Sequence, residues 1–366
     1  MIEICHVTTA HRVDDVRVVD KECRTLASVD GYRITIVGAG SPPSDVPMRH
    51  IPIGKAPDRR LMRLGTSSAR ARWAIRGLKA NVWHFHDLEL LPLAIAMARR
   101  GQLVVWDAHE DYFEPIEEAA GKQWVPGRLR PAVQWGFDAL LRAIDRHAAG
   151  IVAATEHIAS TYSNPRTVVV GNEARTEAFA ACAPGYASRN LLFTGAASHV
   201  TCFPQIVEAV AELPEFTLVV AGPEMPSDME DMAIRSLGAR FAKLGLLDRA
   251  DLASAMTESL VGFVTYEDRA TYATNCPNKV FEFAAAGLPV VGTPNPSFTS
   301  RVARGDFGVA STEFSAPGLR DAIRSATADR DRWETLSTNG RIWSTDEGSW
   351  TRSGTVLLSF YQGLLS

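Results

Sequence analysis

Short apolar runs alternate with helical patterns along almost the whole chain, and this alternation limits the folds that the chain can adopt. In the first half of the sequence, strands are predicted near residues 2–7, 33–37, 82–85, 103–106, 151–154 and 167–170. Helices are predicted near residues 17–28, 61–79, 89–99 and 129–148. Strands and helices that alternate in this way build a parallel sheet covered by helices on both faces.

A second series of the same kind follows a break in the pattern. The stretch 172–190 is rich in Ala, contains Pro184 and Gly185, and is predicted as a linker. After it, strands are predicted near residues 190–194, 216–221, 239–244, 260–265, 289–292 and 308–310. A chain of 366 residues is too long for a single hydrophobic core. The sequence therefore predicts an α/β protein with two doubly wound, Rossmann-like domains, 1–180 and 185–344.

The composition is that of a soluble globular protein, with 46% hydrophobic and 22% charged residues. Its five cysteines are far apart and form no C-x-x-C pair, so neither a disulfide framework nor a zinc site is indicated. No apolar run reaches the roughly 18 residues of a membrane span, and the first residues read as a strand rather than a signal peptide. We therefore expect a cytoplasmic protein.

The segment 275–291, N-C-P-N-K-V-F-E-F-A-A-A-G-L-P-V-V, reads as a helix that leads into a buried strand. Asn275 suits the N-cap, Pro277 suits the first turn, and Gly287 suits the position just past the helix end. Lys279 then lies near the N-terminal end of the helix, where free amides and the helix dipole favour an anion. The sequence therefore predicts a site for a phosphate-bearing ligand, with Asn278 beside Lys279 and with Glu282 in mid-helix.

Residues 277–291 resemble the donor-binding helix of the retaining nucleotide-sugar glycosyltransferases of family 4, in which a Glu is followed after a few residues by a Gly-x-Pro-Val-Val strand. The resemblance implies the GT-B architecture, in which two Rossmann-like domains face a central cleft and a C-terminal helix, here 345–366, completes the first domain. It implies that Glu282 holds the donor ribose. It also implies sugar transfer with retention, with a nucleotide diphosphate sugar as co-substrate and with neither a cofactor nor a metal.

The run W-D-A-H-E-D-Y at 106–112 follows a predicted strand, at the sheet edge where doubly wound folds bind ligands. The resemblance implies that His109 lies close to the reacting sugar, as a catalytic residue together with Lys279. Glu110 is a candidate on the acceptor side. The alternative is an ordinary helix start that Asp111 caps.

The run W-H-F-H-D ends another predicted strand and puts His84 and His86 on one side of it. Such a pair suits zinc if a third ligand such as His109 is near. Because the resembled family needs no metal, we instead expect His86 and Asp87 to line the acceptor side and expect no metal site.

The first loop after a strand, T-T-A-H-R-V-D-D-V-R, lacks the G-x-G-x-x-G of a dinucleotide site, so a nicotinamide dehydrogenase is disfavoured. The resemblance implies that this loop touches the donor phosphate or the acceptor. Arg12, Asp14, Asp15 and Arg17 are the candidates. The alternative for Asp15 and Arg17 is an exposed ion pair.

The loop that follows the strand 190–194 departs from the family pattern. The resemblance implies an Arg directly after Gly195 and a second cation a few residues later, both paired with the donor diphosphate, but those positions hold Ala196 and Thr201. A charge-assisted hydrogen bond contributes roughly 1.5 to 3 kcal/mol. Lys279, backbone amides or Arg269 would have to compensate.

Two further positions concern the donor. The first acidic residue of the family pattern, eight positions before Glu282, is Thr274 here. Contacts to the sugar hydroxyls are then expected from Thr274 and Asn275. Gly245 and Leu246 lie in a loop that resembles the one whose backbone holds the donor base.

The stretch 55–79 contains eight basic residues and one acidic residue, with apolar residues between them. We expect a basic amphipathic helix over residues 59–79 that contacts the inner face of an anionic membrane. The alternative, a solvated helix face, is commoner. Nucleic acid is not expected, since no recognised binding motif is present. The acceptor is a small molecule, a glycan or a lipid-linked molecule.

Two other functions fit the same architecture. A nucleotide-sugar 2-epimerase would use acidic residues and release a free sugar without any acceptor. A degenerate, non-catalytic subunit that binds a ligand or a partner would explain the absence of cations at Ala196 and Thr201.

Overall fold

The computed structural model describes residues 1–54, 63–113 and 127–366, which divide into two compact units. Unit 1 comprises Met1–Gly171 and Thr351–Ser366, and unit 2 comprises Asn172–Trp350.

Unit 1 is built on a parallel sheet of seven strands in the order β3-β2-β1-β4-β5-β6-β7. The strands are β1 (Ile2–Arg12), β2 (Tyr32–Ala39), β3 (Met48–Pro52), β4 (Val82–Phe85), β5 (Val104–Ala108), β6 (Gly150–Ala153) and β7 (Thr167–Val169). The sequence analysis missed β3, because this edge strand is only half-buried and lacks a continuous apolar run. The six other strands lie within a few residues of their predicted positions.

Helices cover this sheet, and the helix predicted near 17–28 is mostly π-helical. The helical segments described in unit 1 are Val16–Cys23, Arg24–Ala27, Arg63–Ser67, Ser68–Ala74, Leu88–Leu90, Leu91–Ala98, Gly127–Leu129, Arg130–His147, Glu156–Ser160 and Trp350–Leu365. The last of these packs on the unit 1 sheet. Its Tyr361 hydroxyl lies 2.8 Å from Nδ1 of His84, and its Phe360 ring occupies the space that a side chain at Gly150 would need.

Unit 2 is built on a parallel sheet of six strands in the order β10-β9-β8-β11-β12-β13. The strands are β8 (Asn190–Thr194), β9 (Thr217–Ala221), β10 (Phe241–Gly245), β11 (Ser259–Val264), β12 (Val290–Gly292) and β13 (Gly308–Ala310). The helices are Thr176–Phe179, Phe203–Ala211, Ser227–Leu237, Gly238–Arg240, Arg249–Thr257, Ala270–Thr274, Asn278–Ala286, Pro296–Gly305, Ala316–Ala326 and Arg330–Thr345.

The segment predicted as a linker packs into unit 2. Phe179 and Cys182 are buried in its core, and the Arg341 side chain donates a hydrogen bond of 2.5 Å to the carbonyl of Cys182. The stretch predicted as a linker therefore contributes two buried side chains to unit 2.

Both sheets have the strand order of a Rossmann fold, and the predicted α/β fold class is confirmed. In this order the chain reverses direction across the sheet between β1 and β4 in unit 1, and between β8 and β11 in unit 2. Ligands bind at such switch points, beyond the carboxyl ends of the strands. Each unit therefore has one defined place for a site.

Candidate functional site

Lys279 lies at the switch point of unit 2. The helix Asn278–Ala286 is held there by Phe283, whose ring packs where Gly262 of β11 has no side chain. The ammonium nitrogen of Lys279 donates to the carbonyl of Thr194, the last residue of β8, over 2.8 Å. Burial lowers the pKa of Lys279 to about 8, although the charge of Glu282 opposes this shift. The lysine is thus a buried cation at a strand end.

Aromatic rings and a glycine surround the Lys279 ammonium group. The nitrogen lies 4.9 Å from the ring centre of Phe193 and 5.2 Å from that of Tyr266. Gly195 follows Thr194 with φ of +112°, a conformation that L side chains rarely adopt. A Cβ at Gly195 would lie 3.9 Å from the Lys279 nitrogen, so the glycine keeps the approach to this cation open.

The loop after Gly195 is ordered by a hydroxyl rather than by charge. Thr201 donates a hydrogen bond of 3.0 Å to the carbonyl of Ala196 and accepts one of 3.1 Å from the amide of Ser198. At the two positions where the family pattern has cations, this chain therefore has a turn that Thr201 stabilises.

The helix start differs from the prediction. Pro277, in extended conformation, is the N-cap residue and makes no side-chain cap, so Asn275 is not the N-cap. The helix begins two residues later than expected, and the amide of Val280 donates to the carbonyl of Pro277. Asn278 opens the helix, and its side-chain oxygen is buried without a partner among the described residues. At the other end, Gly287 adopts the left-handed conformation that was predicted for it.

Arg269 forms an ion pair with Glu267, with 2.6 Å between its Nε and the carboxylate. Its side chain is 38% exposed, and its compensation for the absent cations stays a prediction. Thr274 ends the short helix Ala270–Thr274, directly before Asn275. Glu282 is half-buried on the next helix, close enough for its charge to act on Lys279.

Gly245 and Leu246 lie at the carboxyl end of β10. Gly245 has φ of +73°, and its carbonyl accepts a hydrogen bond of 2.9 Å from the amide of Gly222. The Leu246 side chain is 79% exposed. An exposed apolar side chain at a strand end gives a planar ligand such as a nucleobase a surface to pack on.

At the switch point of unit 1, Asp87 organises the end of β1. Its carboxylate accepts hydrogen bonds from the hydroxyl of Thr8 (2.7 Å) and the amides of Thr9 (2.5 Å) and Ala10 (3.0 Å). It also lies 2.6 Å from Nδ1 of His11. Burial alone would raise the pKa of Asp87, but His11 and these donors hold it well below its usual value.

Sequence analysis missed His11. Burial would lower the pKa of this imidazole, but the hydrogen bond to Asp87 and the surrounding carboxylates raise it to about 9. The ring packs edge-on against His109, with 4.7 Å between ring centres. Its side chain is 32% exposed. The signal was its place in the run T-T-A-H-R-V-D-D-V-R, which the resemblance implies to contact a ligand and whose first residues form the end of β1.

His109 lies at the end of β5, beside His11. Its Nε2 is 3.1 Å from the hydroxyl of Tyr112, and its Nδ1 is 3.4 Å from a carboxylate oxygen of Asp107. The structure therefore brings the predicted catalytic imidazole next to a second imidazole, with one carboxylate behind each ring.

Arg17 is buried and does not form an exposed pair with Asp15. It donates to Asp107 over 2.8 Å and to the carbonyls of Val170 (2.8 Å) and Gly171 (3.2 Å), whereas Asp15 caps the helix Val16–Cys23. The opposite charges offset the cost of burial, so the pKa of Asp107 is held well below its usual value. Arg17 therefore acts behind His109 and does not reach an acceptor directly.

The position of His86 also differs from the prediction. It is fully buried, with Nδ1 2.9 Å from Asp107 and Nε2 2.9 Å from Nδ1 of His6. Asp87 is buried as well. Both residues lie beneath the surface that was expected to line the acceptor side.

The remaining acceptor-side candidates are at the surface. Arg12 and Asp14 form an exposed ion pair at 2.9 Å. Glu110 is exposed in the loop directly after His109.

Two groups of side chains in unit 1 have metal-ligating atoms close together. His11, Asp87 and His109 form one group, and His6, Glu22, His84 and His86 form the other. In each group, one ligand atom from every side chain lies within 4.8 Å of the others. Burial, then the charge of Asp107, raises the pKa of Glu22 well above its usual value. The second group differs from the His84, His86 and His109 set that the sequence suggested.

Comparison with known proteins identifies a domain within unit 2. Residues 188–329 match the family described as glycosyl transferases group 1. A comparison with curated protein sequences gives no match.

The whole chain resembles solved glycosyltransferase structures. Sucrose-phosphate synthase from Thermosynechococcus elongatus has a TM-score of 0.77 at 16% identity, over 100% of this chain and 99% of that one. HepE from Anabaena, solved with UDP, has a TM-score of 0.72 at 12% identity, over 99% and 100%. WaaG, a glycosyltransferase involved in lipopolysaccharide biosynthesis, has a TM-score of 0.73 at 14% identity, over 97% and 98%.

These likenesses confirm the predicted GT-B fold. Together, the family match and the fold support a glycosyltransferase, and the predicted enzyme class is confirmed. Within residues 1–54, 63–113 and 127–366, no helix has both the length and the apolar character needed to cross a membrane.

Proposed function

We propose that this chain is a retaining glycosyltransferase of family 4 that transfers a sugar from a nucleotide diphosphate sugar to an acceptor hydroxyl. The observation that carries the proposal is the buried ammonium group of Lys279 at the end of β8, inside the group 1 glycosyltransferase domain. HepE has been solved with UDP and with UDP-glucose, which supports a nucleotide-sugar donor.

Lys279 and the start of its helix would hold the donor diphosphate. A pKa of about 8 means that the lysine is mostly protonated at neutral pH. Because rings and backbone surround the ammonium group in place of water, its charge attracts a nearby anion strongly. A diphosphate would supply the missing counter-charge. The amides at Asn278 and the helix dipole add to this attraction.

Glu282 would hold the donor ribose, and Leu246 would pack on the base. Thr274 and Asn275, between Arg269 and the helix, are the proposed contacts to the transferred sugar. Gly195 and Gly245 both have positive φ, which lets a ligand approach the backbone where a side chain would block it.

His109 is the proposed group at the reacting sugar, and His11 is its neighbour. Because His11 is held as a cation by Asp87, it would favour the developing negative charge of the leaving diphosphate. Departure of the diphosphate and attack by the acceptor would then occur on the same face, with the leaving phosphate taking the acceptor proton. The proposal requires no metal for this step.

We also propose that unit 1 touches an anionic membrane. Trp73 is 78% exposed on the helix Ser68–Ala74, and Arg72 and Arg76 are exposed beside it. Basic side chains around an exposed indole suit the headgroup region of a bilayer. Such contact would bring a lipid-linked acceptor within reach of a cytoplasmic enzyme. Arg59 and Arg60, which belong to the predicted helix 59–79, lie outside the described residues.

A product analysis tests the proposed reaction. The protein is incubated with a panel of nucleotide sugars and acceptors, products are detected by mass spectrometry, and the anomeric configuration is read by NMR. We expect transfer with retention, a strongly reduced kcat for His109→Ala, and unchanged activity for His157→Ala, an exposed histidine of unit 1. Release of free sugar without an acceptor would instead identify a 2-epimerase, and inversion would contradict the proposal.

A further inference from the structure

Four buried side chains of unit 1, which we call the histidine cluster, lie beneath the proposed catalytic residues. They are His6, Glu22, His84 and His86, and each is fully buried. His6 of β1 and His84 of β4 are direct partners in the sheet register. The ring centres of the three histidines are 4.5 to 5.1 Å apart. So many polar groups are costly to bury unless each has a partner.

Hydrogen bonding fixes the protons on two of these rings. The Asp107 carboxylate only accepts hydrogen bonds, so Nδ1 of His86 must donate to it. With one proton on each ring, Nε2 of His86 accepts and Nδ1 of His6 donates to it over 2.9 Å. Nε2 of His6 then carries a bare lone pair. This atom is buried and has no partner among the described residues.

His84 also has one ring nitrogen with a partner and one without. Its Nδ1 lies 2.8 Å from the hydroxyl of Tyr361 on the C-terminal helix. Its Nε2 is buried without a partner within the described part of the chain. In both His6 and His84, one ring nitrogen is held by an orienting group and the other is free, which is how metal-ligating histidines are arranged in proteins.

Glu22 adds a carboxylate to these nitrogens. Neither of its oxygens makes a hydrogen bond to the described residues. One oxygen lies 3.4 Å from Nε of Arg17 and the other 3.9 Å from Nδ1 of His84. Arg17 is already paired with Asp107. A proton on Glu22 would remove its charge, but it would still leave Nε2 of His6 and Nε2 of His84 without partners.

We propose that the histidine cluster binds a zinc ion through Nε2 of His6, Nε2 of His84 and the carboxylate of Glu22. His86 and Tyr361 orient the two histidine ligands, and a water would complete the coordination. Two imidazoles and a carboxylate are a ligand set that zinc favours. One metal-ligating atom from each of the four side chains lies within 4.8 Å of the others, so the cluster surrounds a space small enough for one ion.

This ion would be structural. Its ligands are fully buried, whereas the proposed transfer uses His109 and the donor-binding helix. It would join β1, β4, the helix Val16–Cys23 and, through Tyr361, the C-terminal helix. The zinc site and the glycosyltransferase reaction are therefore independent proposals, and failure of one leaves the other intact.

Metal analysis of the protein tests the site. Full-length protein without a histidine tag is purified from zinc-supplemented medium, dialysed and analysed by plasma mass spectrometry. We expect about one zinc per chain. Glu22→Gln, which keeps the shape of the side chain, and His84→Gln should lose it. His157→Gln, which alters an exposed histidine, should retain it.

Two further measurements keep the test independent of how the variants fold. Chelation of the wild-type protein should lower its Tm, and zinc should restore it. Cobalt added to the chelated protein should give the visible absorption of a coordinated ion. Wild-type protein without stoichiometric metal, without cobalt absorption and with a Tm indifferent to zinc would overturn the proposal. Retention of a full equivalent of zinc by folded Glu22→Gln would also overturn it.

Discussion

The two units share one strand order but differ in the groups that they gather at the carboxyl ends of their strands. Unit 1 buries a network of ionised and imidazole groups around Asp107, Arg17 and His86. Unit 2 brings together glycines, backbone groups and the buried Lys279. The same topology therefore supports two kinds of site. In unit 1 the charged groups pair with one another, whereas in unit 2 a buried cation is placed to pair with an anionic ligand.

The largest effect should come from breaking the charge pair of unit 1. Asp107→Asn removes the carboxylate that lies 2.8 Å from the buried Arg17, and we expect a loss of about 3 to 5 kcal/mol in the free energy of unfolding. Denaturant unfolding measures this loss. Asp14→Asn removes the carboxylate of an exposed pair and should cost less than about 1 kcal/mol. Equal losses in both variants would show that burial does not distinguish the pairs.

In unit 2, we expect the next largest effect from removing the proposed ribose contact of Glu282. Glu282→Ala should weaken donor binding by roughly 1 to 3 kcal/mol, because donor hydroxyls lose their acceptor. Calorimetric titration measures the change. An unchanged affinity would show that the donor does not lie against this helix.

Packing beneath the same helix offers a test that leaves all polar groups in place. A Cβ at Gly262 would lie 2.6 Å from the ring of Phe283, so Gly262→Ala should cost about 1 to 3 kcal/mol of unfolding free energy. It should also weaken donor binding, since the helix that carries Lys279 must move. Gly185→Ala, at a position with open space, serves as the control. If donor affinity survives the loss of stability, the helix position is not critical.

Titration of Lys279 gives a pH signature for unit 2. A cation with a pKa of about 8 loses its proton as pH rises through that value, so donor affinity should fall about tenfold between roughly pH 7 and pH 9. In Lys279→Arg the cation stays charged, and the fall should disappear. The same pH profile in both proteins would assign the dependence to another group.

Titration of His11 gives the matching signature for unit 1. Its pKa is raised from 6.5 to about 9 in the folded protein, so its contribution to stability is complete below the unfolded value. That contribution is lost as pH rises through about 9. The difference in unfolding free energy between wild type and His11→Gln should therefore be largest below about pH 6.5 and shrink as pH rises to about 9. A difference that is constant with pH would mean that His11 is not charged.

The fold was predictable because buried parallel strands leave a strong signal. All six strands of unit 2 lie within about two residues of their predicted positions. The half-exposed edge strand β3 and the π-helical geometry of Val16–Cys23 left no such signal.

The site was predictable only in part, for a physical reason. Strand ends pointed to His109 and Asp87, because topology fixes where ligands bind, and a helix start pointed to Lys279. The partners of these residues depend on contacts between distant segments. Arg17 and Asp107 are 90 residues apart, and His11 and Asp87 are 76 apart. No local pattern reports which carboxylate a buried cation will meet.

Calorimetry of donor binding tests the central claim most directly. The wild-type protein is titrated with the diphosphates of uridine, guanosine and thymidine, beside Lys279→Met and the control Lys243→Met, which alters an exposed lysine paired with Glu230. We predict that at least one diphosphate binds wild type and Lys243→Met equally and binds Lys279→Met at least about tenfold more weakly. Absence of binding to all three diphosphates, or equal binding by Lys279→Met, would contradict the account.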